Sequence, residues 1–274
     1  MRPLTVDEIA SLIPIQGDDG TLSTITVIGH SPPSPPGSPP PPVALPPPGS
    51  PPPPLPPCPV NPAAAINYGT IKQNEGGVLS TGYVPNNGAG VGAHSGVTIG
   101  GGVDLSWWTA SQLTGWGLTS ADATASTPYA ATSRPKGTLR GPVGSAAVTR
   151  LGQHDGLTLP MADVTALTNG IMAWFATQTA NEVKNLTGQN FNDLPSAVQT
   201  ALVDFTYNTG IINGNSNQSA TQDAVQSALQ AHNWGQVATV LQKSGNSRWA
   251  KDGDAIAAAI ASGAMPATGA LCTS

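Results

Sequence analysis

Residues 63–274 of this chain contain two glutamates, Glu75 and Glu182, and nine aspartates. With so few acids, the search for proton-transfer chemistry is short. Glu182 stands beside Lys184 on the polar side of a helical stretch, which reads as a solvated face. Glu75 sits where a first helix meets a glycine-rich segment, followed at once by Gly76 and Gly77. At such a junction a rigid element can present a side chain to a loop-lined cleft. The residue pattern leaves two readings open, a catalytic acid or a plain helix-end residue.

The other chemistry-bearing residues fall into weaker patterns. Gly88-Ala89-Gly90-Val91-Gly92 has the glycines of a phosphate-binding loop, but no helix follows and no acid lies about 20 residues on in the right context. His94-Ser95 is a pair of sequence neighbours without a nucleophile-elbow motif. The four histidines (His30, His94, His154, His232) lack metal-ligand spacing, so no metal and no cofactor are expected. Trp107, Trp108 and Trp116 can pack in the core or stack on sugar rings, and core packing is the simpler reading. Cys58 and Cys272 flank the globular part, either as a disulfide tie in an oxidising compartment or as two unrelated thiols.

The elements around Glu75 follow from local pattern. Ala63 to Lys72 opens a helix that Glu75-Gly76-Gly77 ends. Short β-branched pieces, Tyr83-Val84 and Val97-Thr98-Ile99, lie in a segment with ten glycines between Gly76 and Gly102, which predicts a small, turn-rich sheet. Everything later reads helical. Val164, Leu167, Ile171, Trp174 and Phe175 share one face of a helix over 162–177, and Val198, Ala201, Leu202 and Phe205 share one over 195–207. Shorter helices are predicted at 223–231, 234–243 and 252–262. A small sheet followed by a string of helices is an α+β architecture.

Composition divides the chain. Of 28 prolines, 19 lie between Pro32 and Pro62, in a stretch without a charged residue. Residues 31–62 therefore read as a disordered, semi-rigid Pro-rich arm, spanning roughly 100 Å at about 3.1 Å per residue if extended. It joins a short head, residues 1–30, to a domain over 63–270. The head carries acids within its only apolar stretch and does not read as a secretory signal. No run of about 18 apolar residues is present, which excludes a helical membrane span. Nine dispersed cations against eleven acids in the domain argue against a nucleic-acid partner.

The run Glu75-Gly76-Gly77, Ser80-Thr81-Gly82-Tyr83-Val84-Pro85 and Ser95-Gly96-Val97-Thr98-Ile99-Gly100-Gly101-Gly102-Val103-Asp104-Leu105 resembles the pesticin-like muramidases. These are bacterial toxins whose killing domain is built like a phage-type lysozyme. Leu194-Pro195, Gln199, Leu202-Val203-Asp204-Phe205 and Tyr207-Asn208-Thr209-Gly210 are similar to the central helix of such domains, which ends in an Asn-x-Gly turn near the cleft. The resemblance covers roughly 63–264, is faint between 115 and 160, and does not include residues 1–62.

The resemblance implies a lysozyme-like fold and a catalytic set of Glu75, Thr98 and Asp104. Glu75 would be the general acid, Asp104 the base that activates water, and Thr98 a positioning hydroxyl, with inversion at the anomeric carbon. It further implies His94, Tyr83, Asn208 and Arg248 as substrate-binding residues and peptidoglycan as substrate. A monomeric antibacterial effector or bacteriocin, injected or imported into the periplasm of a target cell, is the expected context. A phage-type endolysin and a catalytically silent wall-binding module are the alternatives. Residues 1–62 would meet a secretion or import machinery, with Thr24-Ile25-Thr26-Val27 similar to the extended box of receptor-parasitising toxins. An immunity protein would protect the producer.

Overall fold

A computed structural model describes residues 65–134, 137–210, 212 and 219–269. The expected head, the Pro-rich arm and both cysteines lie outside the described residues. Helix α1 (Tyr68–Asn74) starts where the Asn67 side chain accepts the Thr70 N–H, five residues after its expected start. Glu75 is the residue that ends it, and Gly76 and Gly77 follow at φ +82° and +94°. That left-handed backbone turns the chain sharply away from the helix at little cost only because neither residue has a Cβ.

The expected sheet is present as three antiparallel strands, β1 (Leu79–Tyr83), β2 (Thr98–Gly100) and β3 (Val103–Asp104), in the order β1-β2-β3. Tyr83 pairs with Thr98, and Thr98 pairs with Asp104. Directly paired residues of neighbouring strands share a face, so Tyr83, Thr98 and Asp104 form one row across the sheet.

The chain beyond the sheet is not wholly helical. After α2 (Ala110–Gly115) and α3 (Ser120–Ser126), strands β4 (Thr132–Arg134) and β5 (Gly137–Leu139) form a separate antiparallel hairpin, followed by α4 (Gly144–Gln153). Three-residue strands give too little alternation to register as a period. Helix α5 runs from Met161 to Thr187, ten residues past its expected end. Threonines beyond the expected end are accommodated internally. Thr179 bonds the Phe175 carbonyl at 2.8 Å and Thr187 bonds that of Val183, so their hydroxyls are satisfied within the helix.

Helices α6 (Ser196–Thr209), α7 (Ala220–Gln230), α8 (Trp234–Gln242) and α9 (Ser247–Ala261) complete the domain. Every residue of α6 from Val198 to Thr206 is buried, which makes it the central helix. Helix α9 begins five residues before its expected start, because the Asn246 side chain caps the N–H groups of Arg248 and Trp249. Arg248 thereby lies in its first turn.

Two apolar cores share α5. Val164, Leu167, Ile171 and Phe175 pack with the sheet residues Val97, Ile99, Val103 and Leu105. Met172, Ala176 and Val183 pack with α6 to α9 through Leu202, Phe205, Trp234 and Ile256. At about 1.5 Å per residue, this 27-residue helix is long enough, at about 40 Å, to serve both.

Candidate active site

A cleft of about 840 Å³ is lined by residues of the sheet, α5 and α6, and among its lining residues are Glu75, Tyr83, His94, Thr98, Asp104 and Asn208. Six of the seven residues singled out from the sequence therefore line one cavity. The seventh, Arg248, stands behind Glu75 and is not part of the lining.

Glu75 is placed by the end of α1 and by the tight turn between β2 and β3. A Cβ on Gly102 would overlap the Glu75 Oε2, and Gly102 itself has φ +88°. The neighbouring Gly101 is held from two helices: its N–H donates to Thr168 Oγ1 of α5 at 3.1 Å, and its carbonyl accepts from the Tyr207 hydroxyl of α6 at 2.7 Å. The glycine run therefore fixes the turn and leaves room for a carboxylate against it.

Behind Glu75 lies a buried charge network. The Arg248 Nη1 donates to Glu75 Oε1, while its Nε and Nη2 take both oxygens of Asp204 at 3.0 and 2.5 Å. This fork geometry is the strong form of an arginine–carboxylate pair. Asn74 Nδ2 adds a third donor to Asp204 at 2.7 Å. Burial raises the Glu75 carboxyl above its ordinary pKa, the charge and hydrogen bond of Arg248 pull it back, and the charge of Asp204 adds to the rise. Tyr83 and Tyr207 are raised by burial and then by the nearby Glu75 charge, which places both phenols around the same carboxyl.

One turn along α9, Asp252 is only 6% exposed and its Oδ2 has no hydrogen-bond partner among the described residues. Its pKa is pushed up to about 8, chiefly by burial and then by the charge of Asp204, with Arg248 opposing. One arginine thus serves a cluster of three acids, of which Asp252 is the least well paired.

Asp104 is held differently. Its Oδ1 accepts the Ser106 N–H at 2.9 Å and the Ser106 hydroxyl at 2.6 Å, and its Oδ2 accepts the Gly96 N–H at 3.0 Å and Arg140 Nη2 at 3.1 Å. Four donors on one carboxyl satisfy both of its oxygens and fix its orientation. Arg140 also donates from Nε to Ser106 Oγ at 3.0 Å and from Nη2 to the His94 carbonyl at 2.6 Å. A Cβ on Gly96 would come within 2.5 Å of Asp104 Oδ1, so this carboxylate too is admitted by a glycine. Thr98 is 4% exposed, and its hydroxyl donates to the Gly96 carbonyl at 3.4 Å.

Several residues escaped the sequence reading. Glu182 is not a solvated face residue: it is 4% exposed, and its Oε2 accepts the N–H of Ile212 at 3.1 Å. A contact from a segment 30 residues away leaves no trace in helical periodicity. Arg140 carried no local signal, since its partners are equally distant in sequence, and Asp252 owes its burial to packing that sequence spacing does not report. Of the tryptophans, Trp108 and Trp116 pack edge to face as expected, with ring centroids 4.8 Å apart, whereas Trp107 is 55% exposed. Among the described residues, no group of three or more His, Cys, Asp or Glu side chains is arranged to hold a metal ion.

A three-stranded sheet, a long shared helix, a helical lobe and two carboxylates in the cleft between them define a lysozyme-like domain. The sequence model of the Pesticin family, described as the bacterial toxin homologue of phage lysozyme, C-terminal, matches residues 65–224, and the chain belongs to that family. No curated protein matches it. Among the described residues, no helix is long and apolar enough to cross a membrane.

Proposed function

We propose that the protein is a muramidase that hydrolyses the β-1,4 bond between N-acetylmuramic acid and N-acetylglucosamine in peptidoglycan, with inversion. The observation that carries this reading is the contrast between two carboxyls of one cleft. Glu75 is shielded and holds its proton more tightly than usual, while Asp104 accepts four hydrogen bonds. One is suited to protonate the leaving oxygen and the other to activate water. Thr98, paired with Asp104 across β2 and β3, would orient that water. Tyr83, His94 and Asn208 line the cleft around it and would contact the glycan.

The domain division follows from composition: a head at 1–30, an arm at 31–62 and the lytic domain over 63–270. The head and arm would deliver the domain, as effector or bacteriocin, to the periplasm of a target cell. The mild negative charge of the domain fits delivery beside the wall, because electrostatic attraction to an anionic polymer is not available to it. An immunity protein in the producer completes this picture.

Digestion of purified cell walls followed by mass spectrometry tests the reading. New reducing muramic-acid ends are expected. The Glu75→Gln chain should release them at least about 10³-fold more slowly and Asp104→Asn about 10²-fold more slowly. New peptide termini, or full activity of Glu75→Gln, would refute the assignment. A first-formed anomer of retained configuration would exclude direct attack by water.

A further inference from the structure

Trp107 is the one large aromatic side chain that stands exposed among the described residues, and it faces the cleft. It is nevertheless held in place. The Arg140 guanidinium lies 3.7 Å over the ring centroid, and that guanidinium is fixed in turn by Asp104, Ser106 and the His94 carbonyl. The backbone of Trp107 ends a single 3₁₀ turn, Leu105–Trp107, whose Ser106 N–H is capped by the Asp104 side chain. With the guanidinium on one face and more than half of the residue exposed, the opposite indole face is open to the cleft.

From this geometry we propose that Trp107, backed by Arg140, is a binding platform for one pyranose ring of a β-1,4-linked amino-sugar chain, on the Asp104 side of the cleft. An open indole face withdraws apolar surface from water, and its ligand must present a flat apolar face with polar groups at the rim. A β-1,4-linked glucosamine ring carries all its substituents equatorially, so its two faces are C–H surfaces and its edge is hydroxyl and amide. Polar partners for that edge stand close by in Ser95 and His94. A nucleobase also stacks, but a strand of nucleotides needs a basic track that the dispersed cations of this domain do not supply. Because the ring is already fixed by Arg140, binding loses little side-chain freedom.

The platform deepens the muramidase reading and rests on it, so the test separates the two. The full chain carrying Glu75→Gln, to prevent turnover, is titrated with chitotetraose by calorimetry, alone and combined with Trp107→Ala or Trp107→Leu. The dissociation constant should rise about tenfold in both, the scale of one sugar face and one indole face returned to water, with the thermal midpoint unchanged. In the otherwise native chain, Trp107→Ala should raise KM for soluble glycan while kcat stays within about twofold. Unchanged affinity in both variants overturns the platform, as does recovery by leucine, which would show that apolar bulk suffices. A raised KM on walls with unaltered chitotetraose affinity overturns it too, since the side chain would then read the peptide stem. Tenfold weakening in the two Trp107 variants, together with a wild-type chain that releases no reducing ends from walls, would support the platform and refute the hydrolytic reading.

Discussion

The two carboxyls of the cleft are held by different means, Glu75 by one arginine and Asp104 by four hydrogen-bond donors. Glu75 borders an interior in which one arginine is divided among acids, and its surroundings penalise charge. Asp104 lies on an edge strand, where it accepts the backbone N–H groups of Gly96 and Ser106 and pairs with an arginine that is 29% exposed. An arginine beside a carboxylate therefore does not by itself say what the carboxylate does. What separates the two is the number of donors per acid, since their side chains are almost equally exposed, at 15% and 19%.

The arginines should break unequally if this contrast holds. Arg248→Gln leaves Asp204 buried without its fork, and the expected loss is about 3–5 kcal/mol. For a domain of this size that lowers the thermal midpoint by about 10 °C. Arg140→Gln removes a partner from a pair near the surface and should cost about 1 kcal/mol, while wall digestion slows about tenfold as Asp104 loses its orientation. Equal losses of stability in the two variants, read by calorimetry, would erase the distinction between the two sides.

A smaller effect sharpens the acid side. In Gly102→Ala the new methyl group meets the Glu75 carboxylate, the far end of a flexible side chain, at a residue with φ +88°. Stability should fall by about 1–2 kcal/mol from the backbone strain, while activity falls at least about tenfold because the acid is displaced. A variant that loses stability but keeps its rate would mean that the position of Glu75 is not critical.

A further expected effect is a pH slope. Asp252 keeps its proton in the folded chain up to about pH 8, whereas the unfolded chain releases it near the ordinary aspartate value. Between those limits the folded state binds more protons, so the contribution of Asp252 to stability is complete below about pH 4 and is lost as pH rises toward 8. Asp252→Asn should flatten that part of the curve, which thermal midpoints at pH 5 and pH 8 compare directly. An unaltered difference between the two midpoints would show that Asp252 is ionised in the fold.

Much of this contrast was legible along the chain, and the missing parts share one cause. Glu75 stood out because acids are scarce and because a glycine pair follows it. The sheet was legible because its glycines and β-branched residues alternate over a short span. Arg140 was invisible because its partners Asp104 and His94 lie 36 and 46 residues away. Glu182 was misread for the same reason, since helical spacing reports which side of a helix is polar but not what covers that side. The short helices α2 and α3 did carry start signals, Thr109 with Gln112 and Thr119 with Asp122, which the structure shows capping their first turns. Their apolar faces are too short to form a period. The far end of α5 was hidden because its polar residues are satisfied within the helix and by Thr206 of α6.

Gly101 has a consequence for how a glycan chain gains entry. The N–H of this residue is tied to α5 and its carbonyl to α6, so the strand turn that bears Glu75's neighbour Gly102 is fastened to both helices. Widening the gap between the sheet and these helices would strand both groups, at about 1–3 kcal/mol each. The groove is thus a slot of preset width, and a polysaccharide strand must match it on arrival instead of being gripped by a jaw that closes afterwards.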